Sequence, residues 1–140
     1  MVVADGKGIP LGVSLHPASP AEVTLAEEAL REICVGRSRL AGRPRRKLDR
    51  LIADKGYDSD ALRIRLRRQG VELIVPPRIN RRLVLQDGRA LRRYRRRWKI
   101  ERTIAWLGNY RRLVVRWDHH VAIYRAFVQI ACALITCRYL

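Results

Sequence analysis

The segment Leu51–Leu66, LIADKGYDSDALRIRL, constrains the fold more than any other part of the chain, because its residue pattern changes within a few positions. The short apolar run LIAD predicts a buried strand that ends at Asp54. Gly56 follows as a turn signal, and SDALRIRLRRQ predicts a helix that Asp58 or Ser59 caps. An acidic residue therefore lies at the carboxyl end of a predicted strand, where open α/β sheets bind their ligands.

The flanking segments extend this strand–turn–helix unit into a mixed α/β domain. MVVADGKGIPLGVSL predicts a β-hairpin, and a helix is predicted in SPAEVTLAEEALREICV. VELIVPP predicts another strand, and two helices are predicted after it, in RALRRYRRRWKIERTIAWLGN and HHVAIYRAFVQIACALITCRYL. This order predicts one domain, residues 1–140, with a mixed, partly antiparallel sheet flanked by helices. The mostly apolar last helix is expected to bury much of its surface.

The charge balance of the chain indicates a polyanionic partner. Lys and Arg number 30 against 13 Asp and Glu, which gives a formal net charge of +17. Such a surplus favours nucleic acid as the partner, because like charges repel one another and do nothing for the fold. The composition leaves one alternative, a basic protein without a specific partner. The run RRYRRR is either a track along the phosphate backbone or a solvated face.

Other sequence features predict a cytoplasmic protein that acts away from membranes. No stretch approaches the roughly 18 consecutive apolar residues of a spanning helix, and MVVADGKGIP does not have the pattern of a secretory signal. The cysteines Cys34, Cys132 and Cys137 form no CxxC pair, so we expect all three to be reduced.

An isolated acid, Glu101, lies within the arginine-rich helix. At about 100° per residue, Tyr94, Arg97 and Glu101 fall within roughly 60° of one another on the same helical face. One interpretation is a solvated Arg97–Glu101 salt bridge at i,i+4. The other is that Asp54 and Glu101 converge and bind Mg²⁺ or Mn²⁺ while nearby arginines hold phosphates. Spacing alone leaves both interpretations open.

Three segments resemble the C-terminal part of DDE-type insertion-sequence transposases, the bacterial families numbered four and five: ADKGYDSDALR, RYRRRWKIERTIAWLGNYRRL and AFVQIACALI. The resemblance covers nearly the whole chain and implies an RNase H-like fold in a bacterial, nucleoid-associated protein. It implies metal-dependent DNA cleavage and strand transfer at insertion-sequence ends. The second catalytic acid of the family corresponds to Asp54 and the third to Glu101, both as ligands of Mg²⁺ or Mn²⁺.

The resemblance also implies which residues contact the element ends and the target DNA. The family signature Y-x2-R-x3-E-x6-K matches Tyr94, Arg97 and Glu101, whereas Gly108 stands where the family has lysine. We expect Arg111 or Arg112 to take over the role of that lysine. Tyr57 either contacts the nucleic acid or packs on the strand end. The residues expected to bind DNA are Lys55, Tyr57, Tyr94, Arg97, Arg102, Arg111 and Arg112.

One departure from the family concerns the first acid of its triad. That acid belongs to a strand before the opening hairpin, and no such strand is evident in this chain. Asp5 is the only substitute, and a turn residue before Gly6 explains it better. We therefore expect a partial catalytic domain, inactive by itself, that an upstream segment or a fused reading frame completes; a homodimer also fits. The alternative is a catalytically inactive transposase remnant that only binds nucleic acid.

Overall fold

The computed structural model describes residues 1–17, 19–33, 48–83, 86 and 88–139. In chain order the elements are β1 (Val2–Ala4), β2 (Pro10–Val13), α1 (Glu22–Arg31), β3 (Arg50–Ile52), α2 (Asp60–Arg68), β4 (Glu72–Ile74), α3 (Gly88–Tyr94), α4 (Trp98–Gly108), α5 (Arg111–Val114) and α6 (Val121–Tyr139). Two 3₁₀ turns, Lys55–Tyr57 and Arg95–Arg97, precede α2 and α4. The predicted mixed α/β class is confirmed. Cys34 lies outside the described residues, and Cys132 and Cys137 are free thiols.

The described strands form two separate pairs, so the expectation of one mixed sheet is wrong for this part of the chain. β1 and β2 are antiparallel, with Val2 opposite Val13. β3 and β4 are parallel, with Leu51 opposite Leu73. Each strand is only three or four residues long, and no described strand lies between the pairs to join them. The RNase H-like arrangement remains a prediction.

The parallel pair is covered by α2, the helix that connects its two strands. Leu62 and Leu66 are one helical turn apart and fully buried, and they pack with Leu73 in one apolar cluster. The Ser59 hydroxyl caps α2 by accepting a hydrogen bond from the Leu62 amide at 3.4 Å. Gly70, at φ 74°, reverses the chain after the helix. Burial of each of these leucines stabilises the fold by about 1.5–3 kcal/mol. Leu51 and Ala53 pack against the same cluster, so the chain that leads to Asp54 is held in place.

The β1–β2 hairpin docks on α4 through its turn. The fully buried Thr103 hydroxyl donates a hydrogen bond to the Gly8 carbonyl at 2.5 Å. Lys99 donates to the Gly6 carbonyl and Arg102 to the Lys7 carbonyl. These bonds hold α4, and with it Glu101, against the hairpin.

The last helix, α6, buries much less of its surface than expected. Only a narrow seam is buried, formed by Val128, Ala131 and Ile135, whereas Ile130 and Leu134 are 55% and 52% exposed. The reason is that α6 has neighbours on one side, where it packs against β2, α4 and α5. By length and composition alone the helix could cross a membrane, with a mean hydropathy of 1.5 and 17% of its apolar window buried. The expectation that the protein avoids membranes therefore stays a prediction.

The arginine-rich helix is not one continuous α-helix. α3 and α4 are joined by the 3₁₀ turn Arg95–Arg97, although the backbone of Tyr94, Arg97 and Trp98 keeps right-handed helical angles. A 3₁₀ turn has 3.0 residues per turn, so the backbone is wound more tightly between the two α-helices.

We expect Gly8→Ala to lower the free energy of unfolding by about 1–3 kcal/mol. Gly8 has a φ of 86°, and an added Cβ would lie 3.1 Å from the Lys99 carbonyl oxygen. Gly6→Ala is the matched control, because a Cβ at Gly6 meets no heavy atom within 4 Å. Urea unfolding measures both variants, and equal losses of stability would contradict the assigned docking of the hairpin on α4.

Candidate active site

Asp54 lies two residues after the end of β3 and is the N-cap of the 3₁₀ turn Lys55–Tyr57. Its Oδ1 accepts a hydrogen bond from the Lys55 amide, which caps the turn. The Ala53 amide before it donates to the Ile74 carbonyl at 3.1 Å, so the strand pairing extends to the residue next to the acid. The Asp54 side chain is 46% exposed, so it is held by the backbone and still open to a ligand.

One guanidinium joins the two acids that the sequence singled out. Arg97 Nη1 donates to Asp54 Oδ2 at 3.2 Å, and Arg97 Nη2 donates to Glu101 Oε1 at 3.0 Å. Because both carboxylates bond to the fork of one guanidinium, these two oxygens lie within about 9 Å of each other. The expected convergence of Asp54 and Glu101 is therefore present, and so is the i,i+4 salt bridge. Their roles as catalytic metal ligands remain predictions.

Tyr94 lies beside this cluster. The Arg97 guanidinium carbon is 5.9 Å from the centre of the Tyr94 ring, within range of a cation–π contact. The two residues are three positions apart, and residues at that spacing eclipse in a 3₁₀ turn. Tyr94 thus borders the guanidinium that holds the acids.

The sequence left two roles open for Tyr57, contact with nucleic acid or packing on the strand end, and in the structure its ring is packed. Its half-buried ring contacts the apolar cluster around α2, and its hydroxyl bonds to Glu22. Burial, the negative charge and hydrogen bond of Glu22, and the charge of Asp54 raise the pKa of Tyr57 to about 12. Its proposed contact with DNA remains untested.

Asp58 organises the turn after Asp54, a role that the sequence interpretation missed. Its side chain is 1% exposed and binds three donors: Arg81 Nη1 at 2.7 Å, the Arg78 amide at 3.0 Å and Arg63 Nη2 at 3.1 Å. Because Ser59 caps α2, Asp58 is free to turn inward. Sequence spacing could not indicate this role, because the arginines that bind Asp58 come from α2 and from the segment after β4.

Arg78 links the Asp58 cluster to the backbone that follows Asp54. Its Nη2 donates to the Gly56 carbonyl at 2.8 Å, and its Nε lies 3.4 Å from the Lys55 carbonyl. These contacts fix the main chain of the turn while the Lys55 side chain stays exposed. Lys55 is therefore placed next to the acids with its charge facing solvent.

The other predicted DNA-binding arginines lie in different surroundings. Arg102 is held between the rings of Trp98 and Trp106, at 4.9 and 4.8 Å, and bonds to the hairpin turn. Arg112 lies 4.7 Å over the Phe127 ring and pairs with Asp118 at 3.1 Å. Arg111 is exposed at the start of α5. Arg102 thus serves the packing of α4, and Arg111 is the most open of the three.

The donor set fits a divalent cation in part. Asp54 and Glu101 supply carboxylate oxygens, which Mg²⁺ and Mn²⁺ prefer, and the Arg97 guanidinium bonded to both marks the position where a cation is attracted. Within the described ranges no group of three acidic, His or Cys residues is placed to hold a metal. Asp5 is a turn residue, since its Oδ1 accepts from the Lys7 and Ile9 amides, both at 2.8 Å.

The site is an acid pair in a strongly basic setting. Asp54 follows a strand, and Glu101 lies on a helix that directly follows a run of arginines. The family model described as "Transposase DDE domain" matches residues 1–136, and the chain belongs to this family. A curated protein from Burkholderia cepacia, named "Putative transposase for insertion sequence element IS402", is 35% identical over 134 residues. The match covers 96% of this chain and 60% of that relative. No solved structure matches the chain.

We expect Asp58→Asn to lower the free energy of unfolding by about 3 kcal/mol, because it leaves largely buried guanidiniums without their counter-charge. Asp60→Asn is the matched control, since Asp60 also pairs with Arg81 but is 64% exposed. That change should cost less than about 1 kcal/mol. Urea unfolding near pH 7 compares the two, and an equal effect would show that burial of Asp58 contributes nothing.

The same carboxylate gives stability a defined pH dependence. Burial alone would raise the pKa of Asp58, but hydrogen bonds from the Arg78 amide, Arg81 and Arg63 outweigh it and hold the pKa below its ordinary value. The stabilisation is therefore present above the unfolded pKa of about 3.9 and is lost as the pH falls through the folded value. The stability difference between the wild type and Asp58→Asn should therefore stay constant from pH 7 down to the unfolded pKa and shrink as the pH falls below it. A difference that grows on acidification would contradict this assignment.

Proposed function

We propose that this chain is the part of a DNA transposase catalytic domain that carries its second and third acids, Asp54 and Glu101. The reaction is phosphodiester cleavage and strand transfer at insertion-sequence ends, with water and then a 3′-hydroxyl as nucleophiles. The observation that carries the proposal is the convergence of both acids on Arg97. Family membership supports the assignment, and the relative, of which the match covers 60%, is longer than this chain.

The acids and their surroundings have separate tasks in this proposal. Asp54 and Glu101 would hold Mg²⁺ or Mn²⁺, which when bound activates the nucleophile and stabilises the leaving oxygen. The Asp58–Arg78 cluster keeps the Asp54 turn in place, and the hairpin contacts of α4 do the same for Glu101. Side chains held in this way limit positioning errors, and an error of 1 Å can cost about 100-fold in rate.

The DNA track in this proposal is the arginine run at the junction of α3 and α4. Four arginines of this run are exposed and lie directly before Arg97 and Glu101 on the chain: Arg92, Arg93, Arg95 and Arg96. Cations in such a row bind phosphates without reading base sequence. The proposed contacts nearer the reacting bond are of two kinds. Lys55, Tyr94 and Arg97 lie at the acid pair, and Arg111 and Arg112 lie on α5.

A complete site requires more than the two acids described here. We propose that a third acid comes from a segment that precedes the hairpin in the whole enzyme, from an upstream or fused frame, and that the enzyme acts in the bacterial cytoplasm on nucleoid DNA. A homodimer is the proposed assembly. Within the described residues the two strand pairs are not joined, and a further strand between them would complete one sheet.

The second candidate function is a remnant that binds nucleic acid and performs no chemistry. One observation favours it: among the described residues, only two acids meet at the site. The same exposed arginines would then account for the whole function, and Asp54 and Glu101 would only balance charge. Cleavage assays on a completed chain decide between the two candidates.

We expect duplex DNA binding to weaken steeply with salt, and the variant with Arg92, Arg93, Arg95 and Arg96 changed to Ala to show a flatter dependence. Each phosphate contact contributes a slope of about −0.9 in log K against log [salt], because bound arginines release condensed counterions. The matched control removes four other exposed arginines, Arg31, Arg67, Arg68 and Arg138. Fluorescence anisotropy from low to high salt measures the slopes. An unchanged slope in the first variant would place the DNA track elsewhere.

We expect the 140-residue chain to bind DNA, to aggregate readily, and neither to nick nor to join element ends. Two carboxylates leave the two-metal arrangement without a shared or completing ligand. Fusing an upstream segment that carries the first acid ahead of Met1 should restore solubility and cutting. Asp54→Ala in the fusion is the control and should abolish cleavage. Robust Mg²⁺-dependent cleavage by the unfused chain, abolished by Asp54→Ala, would contradict the prediction and assign the third ligand to Asp5 or another acid of this chain.

A further inference from the structure

Arg97 occupies the position between the acids that a metal ion would need. Its two terminal nitrogens bind Asp54 Oδ2 and Glu101 Oε1, one carboxylate each. The other Asp54 oxygen accepts from the Lys55 amide, so both oxygens of that carboxylate are engaged. A divalent cation that bridges Asp54 Oδ2 and Glu101 Oε1 would therefore have to take the position of the guanidinium between them.

The Lys55 bond is the harder of the two to give up. It caps the 3₁₀ turn, whose backbone is further fixed by Arg78 through the Gly56 carbonyl. The Arg97 bonds are easier to exchange, because partners that are 46% and 61% exposed pair weakly in water. The same guanidinium also lies 5.9 Å from the centre of the Tyr94 ring, a contact that does not involve either acid.

We propose that Arg97 is an internal counter-cation that holds Asp54 and Glu101 together in the metal-free chain and that a divalent cation displaces. Displacement frees the guanidinium, next to the arginine run, to bind a DNA phosphate. The inference rests on the proposed function and deepens it, since it gives one side chain two successive anionic partners. Arg97 thus neutralises the two carboxylates before the metal binds, and DNA binding becomes tighter once the metal has displaced it.

Arg97 could instead position the two carboxylates for the metal, and this role predicts the opposite change in metal affinity when Arg97 is removed. If Arg97 only positioned the two carboxylates for the metal, its removal would separate them and weaken metal binding. If Arg97 competes with the metal, its removal leaves two unpaired carboxylates near each other and strengthens metal binding. The direction of the change in metal affinity therefore distinguishes a competitor from a positioning residue.

Mn²⁺ binding to the DNA-free 140-residue chain, followed by electron paramagnetic resonance, tests the competition. Arg97→Gln and Arg97→Ala should each bind Mn²⁺ roughly fivefold tighter than the wild type, the size expected from losing two partly exposed ion pairs. Arg96→Ala is the matched control, because it removes the same charge from the same exposed turn without touching either acid. Circular dichroism checks that each variant is folded. Affinity that is unchanged relative to Arg96→Ala, or lowered, overturns the proposal.

Two further variants separate this inference from the proposed function. Asp54→Asn and Glu101→Gln, each made in the Arg97→Gln chain, should abolish the Mn²⁺ site. If no variant has a Mn²⁺ site that depends on these acids, the inference fails, and the catalytic assignment of the two acids is then decided by the cleavage assay on the fused chain. If the wild type has such a site and Arg97→Gln weakens it, only the inference fails.

A DNA-binding measurement tests the release of the guanidinium. Saturating Mn²⁺ should lower the Kd of the wild type for a short duplex without element ends by a larger factor than that of Arg97→Gln. The comparison is made at constant ionic strength, because phosphate contacts depend on salt. Equal factors in the two proteins would overturn the transfer of Arg97 to phosphate.

Discussion

The ion-pair bridge through Arg97 is the contact that joins the two halves of the site, because it connects two parts of the chain that have separate cores. Asp54 follows β3, and both Leu51 of that strand and Ala53 after it pack on the cluster around α2. Glu101 lies on α4, whose Leu107 packs with α6 in the second cluster. Each acid is thus positioned by its own set of apolar contacts, and the guanidinium spans the gap between them.

The two supports of the bridge differ in physical character. On the Asp54 side a nearly fully buried carboxylate, Asp58, gathers donors from α2 and from the segment after β4. Breaking such a buried cluster leaves uncompensated charge, so it specifies one arrangement strongly. On the Glu101 side the hairpin turn offers backbone carbonyls to Lys99, Arg102 and Thr103. That support depends on Gly8, whose lack of a side chain lets α4 approach.

Local patterns were sufficient to predict what depends on neighbours in sequence. The strand end at Asp54, the Ser59 cap and the shared face of Arg97 and Glu101 follow from periodicity and capping chemistry. The inward turn of Asp58 could not be predicted, because its partners come from two other segments and an N-cap explained the residue equally well. The exposed face of α6 could not be predicted either. Composition states how apolar a helix is, but the number of its neighbours depends on tertiary packing.

The surplus of positive charge gives the pairing of the two acids its significance. With 30 basic residues against 13 acidic ones, a carboxylate on this chain is rarely far from a cation. Simple neutralisation would therefore pair each acid with whichever arginine lies nearest, as Glu72 pairs with Arg50 across the parallel strands at 2.8 Å. Asp54 and Glu101 share a single guanidinium, as Asp58 and Asp60 share Arg81, although Arg95 and Arg96 lie exposed in the same turn as Arg97. Two acids that share one cation keep part of their negative potential, and an acid pair of that kind can attract a second, more highly charged cation.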